Sequence, residues 1–349
     1  MDSSITQNMK SESQKKSISK PGFCCLGIID NCMLRCKMCE KWKDDLVTQG
    51  MTEATTDQYK TFLQQLRTIT DEGFELDIGG GEALMRPDLL ELISYARDLG
   101  FKTTVASNGW LIDKEMARRI VESGLTSIIL SFDSLNSEVH DSMRGVQGVH
   151  ARVVQAIEYL RLFSKDIHIG LCTIIMEKTL DGIIELVEWS NSRRDKINSI
   201  LFMAVMQPNN TVKQDKWFDQ DFNTIWPQDT KKVVACIDEL IRRRNEGQWI
   251  ANSVEQLKAF RLYFQQPNKF VKKTACNMDR GLHISAVGDI FLCFKWDNLG
   301  NIKNGADISQ VWYSKEAETV RENIRQCKDN CHFLLNCFFE GDYPFKCDV

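Results

Sequence analysis

The feature that most restricts this chain is where its sulfur lies. Of 13 cysteines in 349 residues, Cys24, Cys25, Cys32, Cys36 and Cys39 crowd the start. Cys276, Cys293, Cys327, Cys331, Cys337 and Cys347 crowd the end, and only Cys172 and Cys236 lie between. Residues 1–20 hold serines and lysines and no apolar stretch, so they read as a disordered tail and not as a secretory signal. A cytoplasmic location is therefore expected. In a reducing cytosol, clustered cysteines point to metal binding or catalysis before disulfides. Two sulfur sites then flank a long body that is nearly free of sulfur.

That body alternates short apolar runs with amphipathic stretches. Strands are expected at 23–30, 74–79, 102–108, 127–133, 167–175 and 199–207, with helices at 56–70, 86–99, 113–123, 149–163 and 181–192. Six strands alternating with helices imply an α/β fold with a parallel sheet covered by helices, and both an open sheet and a closed barrel satisfy the pattern. Within a strand, Ile128, Leu130 and Phe132 oppose Ser127, Ser131 and Asp133, and Leu76 and Ile78 oppose Glu75 and Asp77. Carboxylates and hydroxyls are costly to bury unpaired, so the second set lines a wet cavity. After a loop at 208–228, helices are expected at 229–246, 253–264 and 315–326, with a hairpin turning at Gly288-Asp289. No apolar run reaches the ~18 residues a membrane helix needs. A formal net charge of -4 requires no nucleic-acid surface.

Directly after the first strand stands Cys32-Met-Leu-Arg-Cys36-Lys-Met-Cys39. Three thiolates this close can hold three corners of a metal cluster. A [4Fe–4S] cluster takes four ligands, so three leave one iron open to a ligand. Zinc is the competing reading, and it wants a fourth Cys or His nearby, for which Cys24 or Cys25 would have to serve. After the second strand, Gly79-Gly80-Gly81-Glu82 lets backbone approach a ligand closely. With Leu84 at the third glycine position it fails the dinucleotide pattern. Ser107-Asn108-Gly109 and Ser131-Phe132-Asp133 end the next two strands, where parallel α/β sheets place ligands.

With these motifs in this order, the chain resembles the radical S-adenosylmethionine (radical SAM) superfamily across residues 23–207. The resemblance implies a partial (β/α)6 barrel in which Cys32, Cys36 and Cys39 bind a [4Fe–4S] cluster and the amino acid end of SAM chelates the fourth iron. One electron then cleaves SAM to a 5′-deoxyadenosyl radical, which abstracts hydrogen from a C–H bond. It implies SAM contacts from Gly80, Gly81 and Glu82 to the ammonium, from Asn108 and Ser131, and from Arg144 to the carboxylate, which an arginine fork binds bidentately. It also implies an electron donor such as flavodoxin or ferredoxin. The residue before the third cysteine is commonly aromatic in the family. Here it is Met38, and Trp42 is the candidate to substitute.

The C-terminal spacing, with Gly288 five residues before Cys293, resembles the SPASM/Twitch accessory domain, which carries auxiliary iron–sulfur clusters. It departs from the full SPASM pattern, having six cysteines and a CxxxC pair. One auxiliary [4Fe–4S] cluster is expected, held by Cys276 and Cys293 with two more ligands from Cys327, Cys331 and Cys337. The expected organisation is a tail at 1–20, a core barrel at 21–228, a helical linker at 229–275 and the accessory domain at 276–349. On the fifth strand Cys172 faces the cavity and is the candidate hydrogen donor to a substrate radical. His168, on the same face, is a candidate base or a wall residue. Two substrate classes compete. A small molecule to be oxidised or epimerised is favoured, because only about 20 residues precede the barrel; a peptide or protein side chain is the alternative.

Overall fold

Alternate burial along each strand builds this fold. The computed structural model describes residues 19–43, 51–208, 216–219, 222–329, 331–337, 339 and 344–347. The expected tail lies outside the described residues up to residue 18, as does part of the 208–228 loop. In chain order the elements are β1 (Phe23–Ile29), α1 (Thr56–Thr68), β2 (Glu75–Gly80), α2 (Leu89–Asp98), β3 (Lys102–Ser107), α3 (Lys114–Glu122), β4 (Ser127–Ser131), α4 (Ser137–Arg144), α5 (Val149–Phe163), β5 (His168–Ile175), α6 (Ile183–Asn191) and β6 (Ser199–Ala204). There follow α7 (Thr230–Asn245), α8 (Val254–Gln265), β7 (Phe270–Lys272), β8 (Gly281–Ile284), β9 (Ile290–Phe291), α9 (Ile308–Trp312), α10 (Lys315–Gln326), α11 (Phe333–Asn336) and β10 (Phe345–Cys347).

Leu26, Ile28, Leu76, Ile78, Val105, Ile128, Leu130, Ile169, Leu171, Ile200 and Phe202 are each at most 4% exposed. They form the outer face of the strands, against the helices. Burying each contributes about 1.5–3 kcal/mol, so this row drives the sheet and helices together. The opposite row, with Cys25, Thr104, Ser131 and Cys172, is only partly buried, and Asp77 is open. The expected polar inner face is present.

β1 to β6 are parallel and adjacent in sequence order. The sheet runs β6-β5-β4-β3-β2-β1-β8-β9, with β6 at one edge and β9 at the other, so the barrel is partial. The expected hairpin is β8 and β9, with Gly288 at φ 89° in its turn. Unexpectedly, β8 pairs parallel with β1, Cys25 against His283, so the C-terminal region extends the same sheet.

α4 is not expected from periodicity, because its eight residues bury three polar side chains, His140, Asp141 and Arg144, beside Met143. Its signals are at its ends. The Asn136 side chain accepts from the Glu138 and Val139 amides, and Gly145 terminates the helix at φ 72°. α1 starts on a capping box between Thr55 and Gln58.

Arg86, 6% exposed, ties several elements together beneath the β2 loop. It donates to the carbonyls of Ile28 and Ala54, pairs with Asp88 at 2.7 Å and lies over the Tyr59 ring. Arg86→Ala leaves two carbonyls short of a donor. We expect a loss of about 3 kcal/mol in anaerobic urea unfolding, since each unmet buried group costs about 1–3 kcal/mol. A loss under about 1 kcal/mol would show that this hub is dispensable.

Candidate active site

The cysteine loop leaves the C-terminal end of β1, the end at which parallel barrels carry their chemistry. Backbone bonds hold it from two sides. Gly81 N donates to Ile29 O at 2.7 Å and Glu82 N to Asn31 O at 2.9 Å. From α4, the carbonyls of Arg144 and Met143 accept from Arg35 N and Lys37 N. A Cβ on Gly80, Gly81 or Gly145 would lie 2.1, 2.0 and 2.2 Å from the carbonyl oxygens of Ile29, Asn31 and Arg35. Only glycine permits so close an approach.

This closure gathers Cys32, Cys36 and Cys39, whose charges act on one another. Cys39 N turns back onto Cys36 O at 3.2 Å, and Asn108 Nδ2 approaches Cys32 Sγ at 3.9 Å. Burial raises the Cys36 thiol to about 11, opposed first by Arg144. Burial also raises Cys32, opposed by the Leu34 backbone N–H. Three soft donors on one clamped loop, beside a fixed cation, are a set that fits an iron–sulfur cluster with one iron left open.

Arg144 is 7% exposed and its Nε donates to Asp133 Oδ2 at 2.7 Å. Asp133 Oδ1 accepts from Ile174 N at 3.2 Å. Thus one carboxylate fixes Arg144 against β4 and β5. No described residue bonds the two terminal guanidinium nitrogens, which leaves a fork suited to a carboxylate. Glu82 is committed inward. Its carboxylate accepts from Ser107 Oγ and Asn108 N, both at 2.8 Å, and from Leu84 N at 3.3 Å. It is 1% exposed and ties the β2 loop to the end of β3. Ser131 lies opposite Cys172 in the β4–β5 register. Met38 is buried, and Trp42 has Arg35 and Lys43 against its ring.

Behind Arg144, His140 is fully buried, and its Nδ1 accepts from Asp133 N at 3.1 Å. Burial, with Arg144 adding to it, pushes His140 down to about 3. His168 meets Ser199 Oγ at 3.1 Å at the start of β5, at the barrel floor and away from the cysteine loop.

At the other sulfur site, Cys276 and Cys293 sit at the approaches to β8 and beyond β9, and Cys327 ends α10. Cys331 acts electrostatically on both Cys276 and Cys293, and Cys327 on Cys293. Cys337 stands apart from these four in one respect. Its charge is felt by Cys25 and Cys172 of the inner face, and it feels Asp77 before Cys331. Cys172 in turn feels Arg144 and Asp133. Cys337 itself is exposed. Burial raises Cys172 to about 12; Asp77, although solvent reaches it, is raised to about 6 by the desolvating protein around it, with Glu75 adding.

Three residues of this site escape sequence reasoning. Asp133 reads as a strand-end polar group, without its role as the Arg144 anchor. Gly145 is not singled out by the sequence, and its signal is its place just after a helix with a basic end. Asp77 reads only as one of an inward carboxylate pair.

A family model described as the radical SAM superfamily matches residues 26–189. The AdoMet-dependent heme synthase of Methanosarcina barkeri is 32% identical over 320 residues, covering 86% of this chain and 84% of that protein. The PqqA peptide cyclase of Rhodopseudomonas palustris is 22% identical over 318 residues, covering 88% and 78%. In fold, Streptococcus suis SuiB, also solved with its precursor peptide SuiA, matches with a TM-score of 0.67 at 17% identity, over 91% of this chain and 72% of that one.

Two outcomes are expected. Gly145→Ala forces the loop off α4, and reconstituted protein should bind clearly less iron than wild type while keeping its far-UV spectrum; full iron would refute the clamp. His140 is neutral in the fold and takes a proton at about 6.5 when unfolded. The unfolded chain therefore binds more protons below that value, so stability falls as pH drops from about 6.5 towards 3. His140→Gln should flatten this slope in anaerobic urea titrations; an unaltered slope would assign it elsewhere.

Proposed function

This chain belongs to the radical SAM superfamily, with a [4Fe–4S] cluster and SAM as its cofactors, and we propose that it oxidises a small-molecule substrate at a C–H bond. Cys32, Cys36 and Cys39 would hold the cluster, which when bound supplies the electron that cleaves SAM to the hydrogen-abstracting radical. Arg144, aimed by Asp133, would grip the SAM carboxylate with its two open nitrogens. The backbone at Gly80 and Gly81 would meet the ammonium, while Glu82 keeps that loop and Asn108 in place. Ser131 would line the same pocket. Cys276 and Cys293, with two of Cys327, Cys331 and Cys337, would hold one auxiliary [4Fe–4S] cluster, in an accessory domain at 276–349 joined to the 21–228 core through the 229–275 helices. A flavodoxin or ferredoxin would bring electrons.

The observation that carries this reading is the parallel pairing of β8 with β1, Cys25 against His283, which brings the stretch between Cys276 and Cys293 onto the sheet that bears the cysteine loop. It supports a second sulfur set close to the barrel, where an oxidation would shed its second electron. The small-molecule class draws support from the heme synthase, the relative with 32% identity over most of both chains. A peptide substrate is the second reading, favoured by the match to the PqqA peptide cyclase over 88% of this chain.

No helix among the described residues is long and apolar enough to cross a membrane. The test uses anaerobically reconstituted protein with dithionite and SAM. We expect 5′-deoxyadenosine from wild type and none from the Cys32/Cys36/Cys39 triple Ala variant, which should also lose about four irons. Arg144→Ala should weaken SAM binding about 30-fold, the scale of a lost charged hydrogen bond. Adding a haem-precursor porphyrin should accelerate 5′-deoxyadenosine release and alter the porphyrin mass. Acceleration by a peptide and not by the porphyrin would replace the small-molecule reading.

A further inference from the structure

β2 is hydrogen-bonded on both sides, to β1 and to β3. A side chain on such a central strand owes its burial to the face it stands on. Leu76 and Ile78 face the helices and are 0% and 4% exposed. Asp77, between them, faces the other way and is exposed. Its register partners, Cys25 on β1 and Thr104 on β3, are half-buried and carry no positive charge. Among the described residues no cation pairs with the Asp77 carboxylate and no donor meets it. The carboxylates at the rim differ. Glu82 and Asp133 are each at most 1% exposed, and each is committed to donors inside the protein.

The inner-face residues next above Asp77 are small. Gly79 follows it on β2, about 7 Å further along the strand. A Cβ on Gly79 would meet nothing within 4 Å. Its register partner on β1 is Gly27. On β3 the residue two after Thr104 is Ala106, which is exposed. Three neighbouring strands thus bear nothing larger than a methyl group in this rank. The space they leave runs from Asp77 up to Gly80 and Gly81, on the rim that holds the cysteine loop. An ionised carboxylate only accepts hydrogen bonds, so an open one attracts a cation or an N–H or O–H donor and repels an anion.

We infer that Asp77 is a substrate-contacting residue: its carboxylate accepts from a positively charged or hydrogen-bond-donating group of the substrate, and the small residues above it leave room for the substrate below the rim. This rests on the oxidation proposed above and adds a substrate class to it. The substrate presents a donor to β2 and keeps any anionic group elsewhere.

The experiment couples benzylamine to carboxylates with a water-soluble carbodiimide at neutral pH, on the anaerobically reconstituted holoenzyme, and reads each position by peptide mass spectrometry. Labelling of Asp77 should saturate in benzylamine, whereas labelling of Asp71 on the surface should stay linear and buried Asp133 should stay unlabelled. Benzyltrimethylammonium, which cannot couple, should compete at Asp77 at least about fivefold better than benzenesulfonate, the scale of one charge pair in water. SAM should leave the Asp77 rate unaltered. Gly79→Leu fills the space and should cut the rate about tenfold or more with an unchanged far-UV spectrum. Ala106→Leu carries the same test if Gly79→Leu does not fold. A porphyrin or peptide that accelerates 5′-deoxyadenosine release should slow labelling at Asp77. An unlabelled Asp77, equal competition by the two ions, protection by SAM, a full rate in both leucine variants, or acceleration without protection would each overturn the assignment. No 5′-deoxyadenosine from wild type would overturn the proposed reaction and with it the substrate role, whereas the ion preference at Asp77 stands or falls on the labelling alone.

Discussion

The buried pair of Arg144 and Asp133 is the constraint on which the rest of this site depends. At 2.7 Å, with Asp133 fully buried, it joins the helix that supports the cysteine loop to the strand ends that line the cavity. Removing either partner leaves an uncompensated buried charge, a loss of about 3–5 kcal/mol. A buried pair of this kind is weak evidence of stabilisation over an apolar replacement. Its value here is geometric. The pair holds one nitrogen of the fork and leaves the other two open, and the backbone of the same helix end receives Arg35 and Lys37. One residue thus fixes both the loop that gathers sulfur and the cation beside it.

Around that pair, the molecule separates stability from chemistry by strand face. The outer row of Leu, Ile, Val and Phe packs on helices. The inner row keeps short or polar side chains, which leave room for ligands at the cost of edges and carboxylates that need partners. Glu82 shows one solution, since its charge is absorbed by three donors from the neighbouring turn and strand. The β6 edge shows another, where the Asn252 and Asn336 amides bond Phe202 and Ala204 in place of a strand. Asp77 has neither solution, and its raised proton affinity arises from standing in the cavity near another carboxylate.

Much of this is legible from residue order. The six strands appear within a few residues of their expected ends because period-two burial is local information. The CxxxCxxC loop, the glycine run and the strand-end polar groups can be placed on the C-terminal rim for the same reason. The features that are not legible depend on distant segments. Nothing near Gly281–Ile284 says that it will pair with β1, since that register is decided by where the chain returns. α4 hides because its buried face is polar and is satisfied by residues from other elements. Arg144 is found as a cation for a carboxylate, but its fixed partner Asp133 cannot be told from a plain strand-end residue.

On this proposal Cys32, Cys36 and Cys39 would leave one iron open, and the fork of Arg144 would hold SAM beside it. Electron paramagnetic resonance of the Cys327/Cys331 double Ala variant, reduced with dithionite, tests this most directly because the N-terminal cluster then dominates the signal. Adding SAM should shift the g-values of that cluster, and in Arg144→Ala the shift should require far more SAM. A spectrum unmoved by saturating SAM, in protein that holds about four irons, would contradict it.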